Sequence, residues 1–250
     1  ASDMSGTWNY LGLVSGYTPT HNPGWYYGSF TFDTSGTVVA ASSIVDCMNS
    51  MPYTPTLGAS LDLMPSGVIS LPSITPAMYK GYMNHDKNIY IGTATMAPGR
   101  DTGVHGYNLQ VAVKSGATFT GSDYVGDWNV HMLASGASQT YTEWAHGTLA
   151  INSSGTASWT AILWSDGDTL LPPQTTPVVS ADGIMTDSVT GMRGVTTPDK
   201  NTIFATMDDS IGSYYFLVLQ KKNPSTVYGL SDLQGTWMKQ LLAAGNGNRW

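Results

Sequence analysis

At 250 residues the chain is long enough for one large domain or two of ordinary size, each able to bury a core. Charged residues make up only 11% of it, the net charge is −7, and the ten Lys and Arg are scattered, with Lys221 and Lys222 the one adjacent pair, so no electrostatic footprint for nucleic acid or an anionic membrane is present. No run of about 18 apolar residues occurs, which excludes a spanning helix and leaves no membrane insertion to expect.

The chain opens at Ala1, the kind of start that signal-peptide removal leaves. With 28 Gly and 13 Pro beside abundant Ser and Thr, its exposed faces are covered mainly by hydroxyls, amides and glycines. That is the surface of an extracellular β protein, and a secreted or cell-surface location is the expectation. The first predicted strand lies in SGTWNYLGLVSG, Ser5 to Gly16. WYYGSFTFDTSGTVVA, from Trp25, reads as two strands joined by a tight turn, with Gly36 free to take positive φ and Asp33 able to bond back to the loop amides. Cys47, the only cysteine, permits no intramolecular disulfide or thiolate cluster and reads as a small buried hydrophobe. Ser66-Gly67 and Asp86-Lys87 mark further turns. In YNLQVAVK, Leu109, Val111 and Val113 share one face and Asn108, Gln110 and Lys114 the other, a dry side and a wet side.

The pattern then starts again. VGDWNVHMLASG (Val125 to Gly136) repeats the first strand, WAHGTLAINSSGTASW (from Trp144) repeats the hairpin with Asn152 and Gly155 at its tip, and DKNTIFATMDD and YFLVLQKK match DKNIYIGTATM and YNLQVAVK. A third start, QGTWMKQLLAAG (Gln234 to Gly245), closes the chain. The predicted fold class is therefore all-β: two tandem antiparallel meanders of about eight strands each, over residues 1–121 and 122–231. Residues 232–250 then supply the first strand of a third repeat or a closing strand. Strands such as GTVVAASSIV and NIYIGTATM, apolar or small on both faces, keep a β-propeller closed by the terminal strand as the alternative.

The G-x-W motif at the head of each repeat (Gly6 and Trp8, Gly126 and Trp128, Gly235 and Trp237), followed by an eight-strand meander, resembles the calycin group of lipocalins and avidin-like proteins. The resemblance implies up-and-down β-barrels in which the Trp closes one end. The tandem duplication departs from that family, so none of its ligand residues carries over.

Chemistry is sparse. His21, His85, His105, His131 and His146 show no H-x-H or H-E-x-x-H spacing. His131 and His146 fall on neighbouring strands, where the first repeat has Leu11 and Tyr27. No nucleophile elbow, phosphate loop or EF-hand spacing is present, the acids of SDGDT and MDDS read as loop caps, and neither a metal nor a cofactor is expected. What remains is 14 Tyr and 8 Trp, many beside Gly, Asn and Asp near turns. Such rings form either stacking platforms for sugars or strand packing. The candidate ligand residues are Trp25, Tyr26, Tyr27, Tyr124, Trp144 and His146. The expected function is non-catalytic recognition of a small molecule or glycan outside the cell. The alternatives are a surface assembly protein that self-associates through its terminal strand and, last, an enzyme with a dispersed site.

Overall fold

The computed structural model describes residues 2–15, 23–47, 57–70, 79–96, 106–136, 142–160, 162–209, 212–223, 225–227 and 229–242, with backbone alone at 44–47, 95–96 and 106. His21, His105, Trp250 and the Cys47 side chain lie outside the described residues.

The first sheet holds β1 (Gly6–Ser15), β2 (Gly24–Phe32), β3 (Val38–Cys47), β4 (Asp62–Leu63), β5 (Val68–Ser70), β6 (Tyr79–Met83), β7 (Ile89–Met96) and β8 (Gly106–Lys114). Their order, β3-β2-β1-β8-β7-β6-β5-β4, is that of an up-and-down barrel cut once, between β3 and β4. The cut is stitched at one end: the Val38 amide donates to Ala59 O at 2.8 Å, and the Gly58 amide to Val38 O at 2.9 Å. Side chains from around the sheet meet in one interior cluster that includes Trp8, Tyr10, Tyr26, Phe30, Ile69, Tyr79 and Tyr90, as a curled sheet requires.

The second sheet has ten strands: β9 (Gly126–Gly136), β10 (Trp144–Ile151), β11 (Ala157–Trp159), β12 (Ile162–Trp164), β13 (Thr169–Leu170), β14 (Val178–Val179), β15 (Ile184–Asp187), β16 (Met192–Thr196), β17 (Thr202–Asp208) and β18 (Ser213–Lys221). Both β11 and β12 pair with β10, as two halves of one broken strand. The remaining order runs β10-β9-β18-β17-β16-β15-β14, and reciprocal bonds between Ala157 and Thr175, at 2.8 and 3.1 Å, bridge the seam. The fold is two curled antiparallel sheets, each a calycin-like half-barrel, and the strand order is not that of propeller blades.

The predicted turns form for the predicted reasons. Asp33 Oδ1 accepts the amides of Ser35 and Thr37 at 2.8 and 2.9 Å, and Asn152 Oδ1 accepts those of Ser154 and Thr156, each at 3.0 Å. Gly36 and Gly155 take φ of 84° and 82°, where an L side chain is strained.

The G-x-W motif is a covalently local corner. A short 3-10 turn leads into a glycine at φ 109° (Gly6), 129° (Gly126) or 129° (Gly235). The indole Nε1 then donates to the carbonyl four residues back: Trp8 to Met4 at 2.7 Å, Trp128 to Tyr124 at 2.9 Å and Trp237 to Leu233 at 2.9 Å. In the two barrels a lysine from the last strand clamps it. Lys114 Nζ lies 5.5 Å over Trp8 and donates to Asp3 O, and Lys221 Nζ lies 5.5 Å over Trp128 and donates to Asp123 O. Lys87 and Lys200, both at positive φ, pair with the carboxylates of Asp3 and Asp123 at 3.1 and 3.0 Å. Trp8 and Trp128 are completely buried and close one end of each barrel.

The third corner has no such cover, and Trp237 is 68% exposed. Residues 234–242 form no strand. A strand needs a neighbour for its amides, and no described residue supplies one there. Within 234–242 the closing strand of the propeller alternative is thus not formed, and residues 243–250 of that predicted segment lie outside the described residues. Instead the Thr93 hydroxyl donates to Gln240 Oε1 at 2.7 Å, and Leu242 is buried between the sheets.

The two half-barrels stand back to back. Leu11, Leu13, Trp25, Val111 and Val113 on the outer wall of the first pack against Val195, Phe204, Tyr214 and Phe216 on the outer wall of the second. This corrects the reading of YNLQVAVK: its polar side is not wet. Asn108 and Gln110 are buried, on the same side of β8 as the interior residue Ala112, while the apolar side became the joint between barrels.

Candidate functional site

The interior of the first barrel is filled by rings. Tyr10 stacks on Phe30 at 5.0 Å, Phe32 meets Phe30 at 4.9 Å, and Trp8 meets Tyr90 at 5.4 Å. Gly12 and Gly92 let the Tyr26 and Tyr79 rings lie against the sheet, since a Cβ at either would stand 2.5 or 2.4 Å from the phenol.

Side chains of both barrels converge on a cleft between them, with a volume of about 280 Å³. One wall is the outer face of β1, β2 and β3, with Asn9, Tyr27, Ser29 and Ser42; the other is β15 and β16, with Ile184, Arg193 and Val195, together with Asp182 of the preceding turn. The Arg193 guanidinium carbon lies 3.8 Å from the centre of the Tyr27 ring, and Tyr27 stacks in turn on Trp25 at 5.5 Å and 17°. Among the described residues the Arg193 side chain makes no hydrogen bond and no ion pair, so its planar set of donors is presented to the cleft. Opposite it are hydroxyls, with Ser29 Oγ and Ser42 Oγ 3.0 Å apart. A guanidinium can match a carboxylate in two bonds and hydroxyls can exchange donors and acceptors with a hydroxylated ligand, while Asp182, which lines the same cleft, carries the opposite charge.

Larger concavities, of about 900 and 540 Å³, lie at the closed ends of the second and first barrels. Lys221, in the larger one, is already spent on Trp128 and Asp123 O.

A second polar group sits at the far end of the second barrel. Tyr215 Oη donates to Asp209 Oδ2 at 2.7 Å, Trp164 lies 5.9 Å from the Tyr215 ring, and burial pushes the phenol well above its ordinary value. Burial, then the charges of Asp166 and Asp209, raise the Glu143 carboxyl as well.

The predicted residues divide. Tyr26 is core of the first barrel, and Trp25 is buried at the joint. Tyr124 is buried behind Trp128; its hydroxyl lies 2.7 Å from Thr196 Oγ1, and burial pushes its pKa up to about 12. Tyr27 is half-buried and lines the cleft. Trp144 and His146 form an exposed stack, 6.0 Å apart at 12°, on the outer wall of the second barrel, away from Arg193. Sequence reading missed Arg193: a lone arginine between Met192 and Gly194 carries no motif, and only the packing of one barrel on the other brings it to Tyr27.

No protein-family model and no curated protein matches the chain. Among solved structures, the chain is similar to a protein of unknown function of the DUF3598 family from Nostoc punctiforme, at 10% identity over 88% of this chain and 97% of that one, with a TM-score of 0.30. It is similar to kievitone hydratase from Nectria haematococca at 10% identity over 88% and 90%, with a TM-score of 0.26. A third likeness is to a Nitrosomonas europaea protein provisionally called AttH, at 9% identity over 88% and 93%, with a TM-score of 0.24. Likenesses of this size carry no argument about chemistry, and the barrel description rests on the strand order.

Proposed function

We propose that this is a non-catalytic binding protein of the cell exterior whose inter-barrel cleft takes a small hydroxylated ligand bearing a carboxylate, such as an acidic sugar. The observation that carries the reading is the Arg193 side chain, its guanidinium carbon 3.8 Å from the Tyr27 ring centre and without a hydrogen-bond or ion-pair partner among the described residues, beside the Ser29 and Ser42 hydroxyls. An arginine left without partners in a half-enclosed cleft costs desolvation that a bound anion repays. The hydroxyl-rich, charge-poor composition supports the exterior location. Calorimetric titration with glucuronate and galacturonate oligomers, against their neutral counterparts, tests it. Acidic oligomers should bind. Arg193→Lys should weaken them at least tenfold, because a point charge replaces a planar fork. Equal binding of acidic and neutral forms, or an unaffected Arg193→Lys variant, refutes the reading.

Self-association through the terminal segment is a second reading, favoured by one observation: Leu233, Trp237, Met238 and Leu241 are 53–68% exposed together. Light scattering at high concentration decides it, since Trp237→Ser should abolish any dimer.

A further inference from the structure

We propose that His131 and His146 form a two-imidazole site for a divalent transition ion on the outer wall of the second barrel. The two residues are direct register partners across β9 and β10. The same register pair in the first barrel is Leu11 and Tyr27, which the joint between barrels covers. On the second barrel that position faces solvent, both histidines are exposed, and their ring centroids stand 6.3 Å apart at 34°. Directly opposed residues of an antiparallel pair hold their Cβ atoms about 4.5–5.5 Å apart, on one face. Metal–nitrogen bonds of about 2.0–2.1 Å place one ion between ring centroids roughly 5–6 Å apart, so a small χ rotation of either exposed ring closes the gap.

Two further features shape the site. Trp144 stacks on His146 and narrows the orientations open to its ring, a restraint that lowers the entropy lost on ligation and leaves the closing rotation mainly to His131. No cluster of three or more His, Cys, Asp or Glu able to hold a metal occurs among the described residues, so the remaining coordination positions fall to water or to an outside ligand. Imidazole pairs select Cu²⁺, Ni²⁺ or Zn²⁺ over Ca²⁺ or Mg²⁺, with Cu²⁺ the strongest.

The test is titration of the whole chain with CuCl₂ and, separately, ZnCl₂, followed by tryptophan emission and thermal unfolding. Cu²⁺ should quench emission, and both ions should raise Tm, because the ion ties β9 to β10 only in the folded state. His131→Asn and His146→Asn should each weaken Cu²⁺ binding at least tenfold, whereas His85→Asn, on an exposed turn of the other barrel, should not. Trp144→Phe should lose most of the quench and keep the Tm shift. Unchanged binding in the His131→Asn/His146→Asn double variant overturns the proposal by placing the ion elsewhere. Loss in only one of the single variants overturns it too, by reducing the site to one imidazole. Both positions are exposed, and matching circular dichroism of each variant establishes that a loss is not misfolding.

Discussion

Three corners of one sequence motif stand in two environments, and truncating their tryptophans separates motif from context. Trp8 is completely buried, and burial of about 150–250 Å² of indole at roughly 25 cal/mol per Å² is worth about 4–6 kcal/mol. Trp8→Ala also leaves Met4 O without its 2.7 Å donor and Lys114 without its ring. Measured large-to-small changes of this kind cost about 3–5 kcal/mol, and for a chain of this length that lowers Tm by roughly 6–20 °C. Trp128→Ala should match it. Trp237 makes the same indole hydrogen bond but is 68% exposed, so Trp237→Ala should cost less than about 0.5 kcal/mol. Thermal unfolding by circular dichroism on the three variants reads the contrast. A Trp237→Ala loss as large as that of Trp8→Ala would refute the reasoning, because it would mean the third corner is covered in solution.

Four more outcomes follow from named contacts. Gly28→Ala should destabilise by several kcal/mol, by the same assay, since its Cβ would stand 2.1 Å from Ser42 O, a backbone atom that cannot swing away. Tyr124 has its pKa raised to about 12 in the fold, so the folded state holds the proton more tightly than the unfolded chain. Stability should therefore fall as pH rises from about 10 towards 12. Tyr124→Phe should flatten that alkaline limb in denaturant titrations while costing about 1–2 kcal/mol at neutral pH for the stranded Thr196 hydroxyl. Glu143, raised by burial and by Asp166 and Asp209, disfavours the fold once ionised; Glu143→Gln should raise Tm at pH 7 and lose that advantage in acid. Asp123 is held below its ordinary value by the Thr120 amide and by Lys200, and the stability it lends above the usual carboxylate range should drain away as pH falls. In Asp123→Asn the acid limb of the stability curve should be shallower.

Turns and corners were legible because their causes are local. Asp33 and Asn152 bond to amides two and four residues on, Gly36 and Gly155 supply the left-handed φ, and each G-x-W indole reaches a carbonyl four residues back. Of the candidate ligand residues only Tyr27 came to line the cleft. Trp25, Tyr26 and Tyr124 were absorbed by packing, because an aromatic on a strand serves core and ligand alike and alternation alone does not say which side is inside.

The amino-acid sequence by itself determined an all-β chain with a repeated start, its hairpin tips, and its three tryptophan corners, since each depends on residues a few positions apart. Only the tertiary structure decided what each face meets. It curled β1 to β8 so that Asn108 and Gln110 turned inward, and it set Val111 and Val113 against Phe204 and Phe216. It also carried Arg193 to Tyr27 across 166 positions of sequence, while leaving His131, His146 and Trp237 in solvent. Those outcomes depend on which surfaces of two curled sheets come into contact, a matter of shape and total burial that no local pattern encodes.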